Sequence, residues 1–257
     1  MSGILAIPSL RERVSPAEWA ARVDLAACYR LVDLYGMTDM IANHISARVP
    51  GEEGAFLINA YGLFYEEITA SSLIKLDLDG NVLLAPEIGL GVNRAGFVIH
   101  SAIHRARPGV GCVIHTHTWA GMALSALPCG LLPLTQTAMR FARVPRHAYE
   151  SVAIDLDEQS RLVADLGDAE VMILDNHSLL AVGPSIPEAF SNIYRLELAA
   201  RTQLSAMACQ AGLITPAPEV IARTNHLYRP DVRRPWGVLE WPGLLRRLDR
   251  RDGSFRL

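Results

Sequence analysis

Apolar and polar positions along this chain fall into short strand-like runs set between longer helix-like stretches. Ser15-Pro16-Ala17-Glu18 opens the first stretch. Serine at the N-cap, proline at the first helical position and glutamate three residues past the cap form a capping-box pattern. It predicts a helix over 16–35, closed by Gly36. β-Branched residues with some alternation predict a strand over 41–49 and a short second strand over 56–59. The runs 73–78 and 82–85 flank Asp79-Gly80, a tight-hairpin signal. The stretch 93–107 reads as a helix stopped before Pro108, 110–115 as a buried strand, 119–127 as a helix and 157–166 as a short amphipathic helix. The runs 171–174 and 179–182 read as strands around Asp175-Asn176-His177-Ser178. Ser185-Ile186-Pro187-Glu188 then opens a second strong helix, expected to reach about Ala211.

The order helix, strands, helix, strand, helix, strands, helix is that of one α/β domain rather than two. It spans 16–215, after an N-terminal arm over 1–15. The tail over 216–257 is rich in Pro, Arg and aromatics and shows no clear core pattern of its own. It is expected to pack over the domain or onto a neighbouring subunit, with 244–251 as a short terminal helix.

Composition narrows the function classes. A net charge of −3 gives no basic footprint for nucleic acid. No run of 18 apolar residues offers a membrane span, and the N-terminus lacks a signal peptide's apolar stretch, so a cytoplasmic protein is expected. Cys28, Cys112, Cys129 and Cys209 form no CxxC pair. They argue against a thiolate zinc site or a disulfide scaffold and are expected to be buried thiols.

Histidines carry the chemistry. In Val113-Ile114-His115-Thr116-His117 the two imidazoles lie at i and i+2, which share one face of an extended segment. A strand end of this kind grips one cation, and the apolar run before it supplies a rigid base. A third ligand must come from elsewhere, and Asn176-His177 follows another buried strand. Three neutral histidines leave an open position for water or substrate. His100 and His104 share a helix face at i and i+4. His100 is expected to pack or hydrogen-bond near the site, and His104 to lie on the surface. His44, His147 and His226 read as local hydrogen-bonding residues.

Over about residues 16–215 the chain resembles the class II aldolase/adducin family. The resemblance is carried by Asn43-His44-Ile45-Ser46-Ala47-Arg48, Tyr61-Gly62-Leu63, Glu66-Glu67-Ile68-Thr69-Ala70-Ser71-Ser72, His100-Ser101-Ala102-Ile103-His104, His115-Thr116-His117 and Asn176-His177. It implies a three-layer αβα domain with a central, mostly antiparallel sheet, assembling as a homotetramer. It also implies one divalent metal ion on His115, His117 and His177. Zinc is the first expectation, with Fe(II) and Mn as alternatives. Two features depart from the sugar-phosphate aldolases. Gly96 stands four residues before His100, where those enzymes carry a catalytic glutamate, and glycine cannot transfer a proton. Arg94 and Ala95 replace two phosphate-holding serines, whereas Asn43 and Gly62 of the phosphate pocket are kept.

A guanidinium at Arg94 fits a substrate carboxylate in a two-point fork. Asn43, Gly62 and Arg94 are therefore the expected substrate-binding residues, with His100 as the candidate catalytic group. The expected function is a metal-dependent lyase for a small carbonyl- or carboxylate-bearing substrate. Aldol-type cleavage and decarboxylation both pass through a metal-stabilised enolate. Two alternatives stand beside it: a non-haem Fe(II) oxygenase of aryl α-keto acids, and a non-catalytic adducin-like scaffold.

Overall fold

In the computed structural model, residues 5–141, 143–151, 157–229 and 231–257 are described. The first four residues of the N-terminal arm lie outside them. Strands β1 (His44–Arg48), β2 (Ala55–Asn59), β3 (Leu73–Asp77), β4 (Val82–Leu84), β5 (Cys112–Thr116), β6 (Arg146–His147), β7 (Val171–Leu174) and β8 (Ser178–Gly183) form one sheet. Their order is β4-β3-β2-β1-β5-β8-β7-β6. Neighbours run antiparallel, with β6 and β7 the parallel pair.

Helices cover both faces. On one side, α1 (Pro16–Leu34) and α6 (Ile186–Ala208) close the larger core over Cys112, Ile114, Leu179 and Ala181. On the other, α2 (Arg94–Ala106) and α5 (Glu158–Leu166) pack Ile99, Ile103, Leu162 and Leu166 against Val113, Leu180 and Val182. This is the expected three-layer αβα arrangement around a mostly antiparallel sheet. Strand alternation assigns each side chain to one helical layer or the other. Along β5, Cys112 and Ile114 face α1 and α6, so Val113 and His115 face α2.

Both strong helices start as their capping patterns predict. Ser15 Oγ accepts the Glu18 N–H at 3.1 Å, and Ser185 Oγ accepts that of Glu188 at 3.4 Å. Glu18, however, does not reach back to its own cap. It is buried and bonds Arg22 Nε (2.8 Å) and Lys75 Nζ (2.9 Å), tying α1 to β3. Asp77 Oδ1 accepts the Asp79 and Asn81 N–H groups, so the β3–β4 turn forms where Asp79-Gly80 signalled it.

Several expectations are corrected. The strand expected over 41–49 begins only at His44. The Asn43 side chain holds the carbonyl of Met37 (3.0 Å), and Met40 adopts φ 46°, which breaks the extended run. The second strong helix ends at Ala208, short of Ala211, and Gln210 turns left-handed at φ 54°. Cys28 and Cys112 are buried, but Cys129 and Cys209 are exposed. His104 is buried, not on the surface. The 119–127 helix is α3 (Trp119–Ser125), and the short α4 (Gln136–Met139), capped by Thr135, follows it where no helix was expected.

The tail forms α7 (Pro218–Tyr228) and α8 (Trp241–Arg251). Trp241, Leu248 and Phe255 are buried in the main core, and Trp241 Nε1 donates to Asp24 on α1 at 2.9 Å. No helix among the described residues is long and apolar enough to cross a membrane.

Candidate metal centre

The end of β5 and the β7–β8 turn bring three imidazoles to one point. His115 lies in β5, and His117 follows the strand end. His177 sits in the turn after Asn176, which takes φ 52°, a conformation asparagine tolerates better than most residues. The three Nε2 atoms are 2.8 Å (His115–His117), 3.0 Å (His117–His177) and 3.2 Å (His115–His177) apart. A tetrahedral zinc with Zn–N of about 2.0–2.1 Å holds its nitrogens about 3.3 Å apart, so the spacing is close to that of a shared ion.

Hydrogen bonds at the far ring nitrogens test whether the site suits a cation. His115 Nδ1 donates to the Leu179 carbonyl at 2.9 Å, and His117 Nδ1 donates to Asp39 Oδ2 at 3.1 Å. In neutral rings these bonds place the proton on each far nitrogen. The Nε2 atoms of His115 and His117 are left as lone pairs aimed at the same point. Two lone pairs 2.8 Å apart repel, and a cation between them removes the conflict. Burial holds His177 down to about 4, with nearby His117 adding to the effect. Burial likewise keeps His115 well below the usual imidazole range. Both are neutral ligands at pH 7.

A second histidine cluster supports the first. Register pairs His44 of β1 with His115 of β5, and their rings lie 5.0 Å apart between centroids. His44 Nδ1 is 2.8 Å from His100 Nε2. Ser46 Oγ lies between His100 Nδ1 (2.5 Å) and His104 Nε2 (2.8 Å). β1 thus presents His44 and Ser46 to the α2 face that carries His100 and His104. All four are buried. Burial, then the neighbouring histidines, drives His100 well below its ordinary value. His100 does not join the three-nitrogen cluster, and it reaches His115 only through His44.

The remaining expected residues divide by accessibility. Asn43 is buried, with its amide donating to Met37 O and its Oδ1 accepting the His117 N–H at 3.4 Å. Gly62 turns the chain after β2 at φ 121°, and a Cβ there would meet the Leu90 side chain at 3.1 Å. Arg94 opens α2 with an exposed side chain. The sequence reading missed three participants. Asp39 orients His117, Ser46 joins His100 to His104, and Tyr149 sets its ring edge-on to His177 at 6.3 Å. Asp39 is distant in sequence from the ring it serves, so no local spacing marks it.

Residues 23–204 match the family model of the class II aldolase and adducin N-terminal domain. The chain belongs to this family. An aldolase II superfamily protein from Pseudomonas syringae superposes with a TM-score of 0.90 at 48% identity, covering 97% of this chain and all of that one. The L-fuculose 1-phosphate aldolase of Glaciozyma antarctica PI12 superposes with a TM-score of 0.83 at 27% identity, covering 99% of this chain and 98% of that one. Alpha-adducin of Rattus norvegicus is 45% identical over 192 residues, covering 74% of this chain but 26% of that protein. The class II aldolase fold is thus shared with relatives named for an enzyme and with relatives named as adducins.

Proposed function

We propose that this chain is a cytoplasmic, metal-dependent carbon–carbon lyase acting on a small carbonyl- or carboxylate-bearing substrate, with His115, His117 and His177 holding one divalent ion, zinc first. The observation that carries this reading is the convergence of three Nε2 atoms within 3.2 Å, with the far nitrogens of His115 and His117 held by oxygen acceptors. A divalent ion held there polarises a carbonyl or hydroxyl oxygen and stabilises the negative charge left when a carbon–carbon bond breaks. Asp39 and the Leu179 carbonyl fix the ligand rings, and Asn43 fixes the His117 backbone. Exposed Arg94 receives a substrate carboxylate, and Gly62 keeps its turn clear of side-chain bulk. His100 holds His44 against His115.

Gly96 favours decarboxylation over aldol cleavage. Loss of carbon dioxide generates the carbanion without a base, and residue 96 itself supplies none. Exposed Met40 (69%) and Trp119 (73%), next in sequence to Asp39 and close after His117, support a homotetramer in which another copy covers this rim.

The adducin identity favours a second reading, a non-catalytic binding domain. Zinc-loaded protein incubated with a panel of small hydroxy-ketones and keto acids separates the two. Release of aldehyde or carbon dioxide, lost in His177→Ala, supports the lyase. Full metal occupancy without turnover on the whole panel supports the binding domain.

A further inference from the structure

The C-terminal segment closes one side of a cavity of about 310 Å³ that none of the three metal ligands lines. Arg140 and the 164–171 stretch form the domain wall, and Asn225, Tyr228 and Arg229 form the tail wall. The volume is at the lower end for small-molecule sites.

Arg140 is the unusual group. It is 6% exposed, and its Nη2 and Nη1 donate to Asn192 Oδ1 (2.8 Å) and Ser191 Oγ (3.5 Å), both neutral acceptors. Its Nε is buried with no acceptor among the described residues. Among the described residues no carboxylate of the cavity wall hydrogen-bonds Arg140, although Glu170 lies near enough to favour its charge. Glu170 pairs with Arg233 at 2.9 Å, and Asp165 with His147 at 2.7 Å. Asp168 lies beside Arg107, which donates to its carbonyl at 3.3 Å. Burial, then Arg233, lowers the Arg140 guanidinium to about 10, so it stays charged at neutral pH. The Trp236 ring lies between Arg140 and Arg234, 5.7 and 4.3 Å from their guanidinium carbons. Its Nε1 is a second buried donor without an acceptor among the described residues.

A buried cation on the cavity wall, with one donor unmatched and only neutral hydrogen-bond acceptors on the others, marks a place for a negative charge. We propose that this cavity binds a small oxyanion, a carboxylate or a phosphate, held by Arg140 and enclosed by the C-terminal segment. The bound anion gives the Arg140 guanidinium a charged partner beside its neutral acceptors. It also links α7 to the domain, next to the bond from Asn225 Nδ2 to the Arg140 carbonyl at 3.1 Å. Exposed Arg143 adds positive charge to the lining.

Isothermal titration of the full-length protein with inorganic phosphate, acetate and succinate, against chloride at matched ionic strength, tests this. Saturable binding of phosphate or of the carboxylates is expected, and which of them binds names the source of the oxyanion. Arg140→Met should weaken that binding by at least about tenfold, a loss of one charge-assisted bond. Arg143→Glu, on the exposed part of the lining, should weaken it several-fold while leaving the fold untouched. Chloride-like responses to all three anions overturn the site, and so does binding that neither substitution weakens.

Discussion

The ring of His44 occupies the space that a side chain at Gly96 would need. A Cβ on residue 96 would lie 2.8 Å from His44 Cδ2 and Cγ, and His44 is fixed by its bond to His100. The missing glutamate and the buried His44 are therefore one feature of the packing. Gly96→Ala should destabilise the protein by about 1–3 kcal/mol through overpacking, even though alanine favours helices over glycine by about 1 kcal/mol. Gly96→Glu should be worse and should not create aldolase activity. Urea unfolding checks both, and an alanine variant as stable as the parent would refute the steric reading.

Asp39 holds the His117 ring with its lone pair toward the centre. Asp39→Asn keeps the size but loses the charge that strengthens the ligand. Metal affinity should fall about 10- to 100-fold, read by competition with a chromophoric chelator. Unchanged affinity would remove Asp39 from the site.

The buried histidines set the acid stability of the metal-free protein. Burial lowers His44 and His104 from 6.5 to about 3. Below about pH 6.5 the unfolded chain binds protons that the folded chain refuses, so stability falls with pH down to about 3. Each such histidine contributes a slope of about 1.4 kcal/mol per pH unit. Unfolding in chelator at pH 7 and pH 5 should show the loss. A flat profile would mean that these rings take up protons without unfolding.

Phe255 carries the C-terminal segment into the main core. Phe255→Ala should cost about 3–5 kcal/mol, measured by thermal or urea unfolding. A cost under about 1 kcal/mol would make the tail an attachment and not part of the core.

What was legible in the sequence had local causes. Ser15 and Ser185 announce their helices because a cap is written within four residues. Asp79-Gly80 announces its turn for the same reason. His115 and His117 are legible because strand geometry fixes i and i+2. By contrast, α7 buries none of its residues, and β6 is two residues long, so neither leaves a pattern. His104 reads as a surface residue until β1 brings Ser46 opposite it. His177 was implied by the family resemblance, and the folded β7–β8 turn accounts for its place beside the pair.

Metal analysis decides whether His115, His117 and His177 form one metal centre. Protein purified without added metal, stripped, then reloaded with zinc should bind one ion per chain. His115→Ala, His117→Ala and His177→Ala should each abolish high-affinity binding while the fold persists. Failure of the parent to retain zinc, iron or manganese after reloading, or full retention by any one of the three variants, would rule out a metal ion shared by these three histidines.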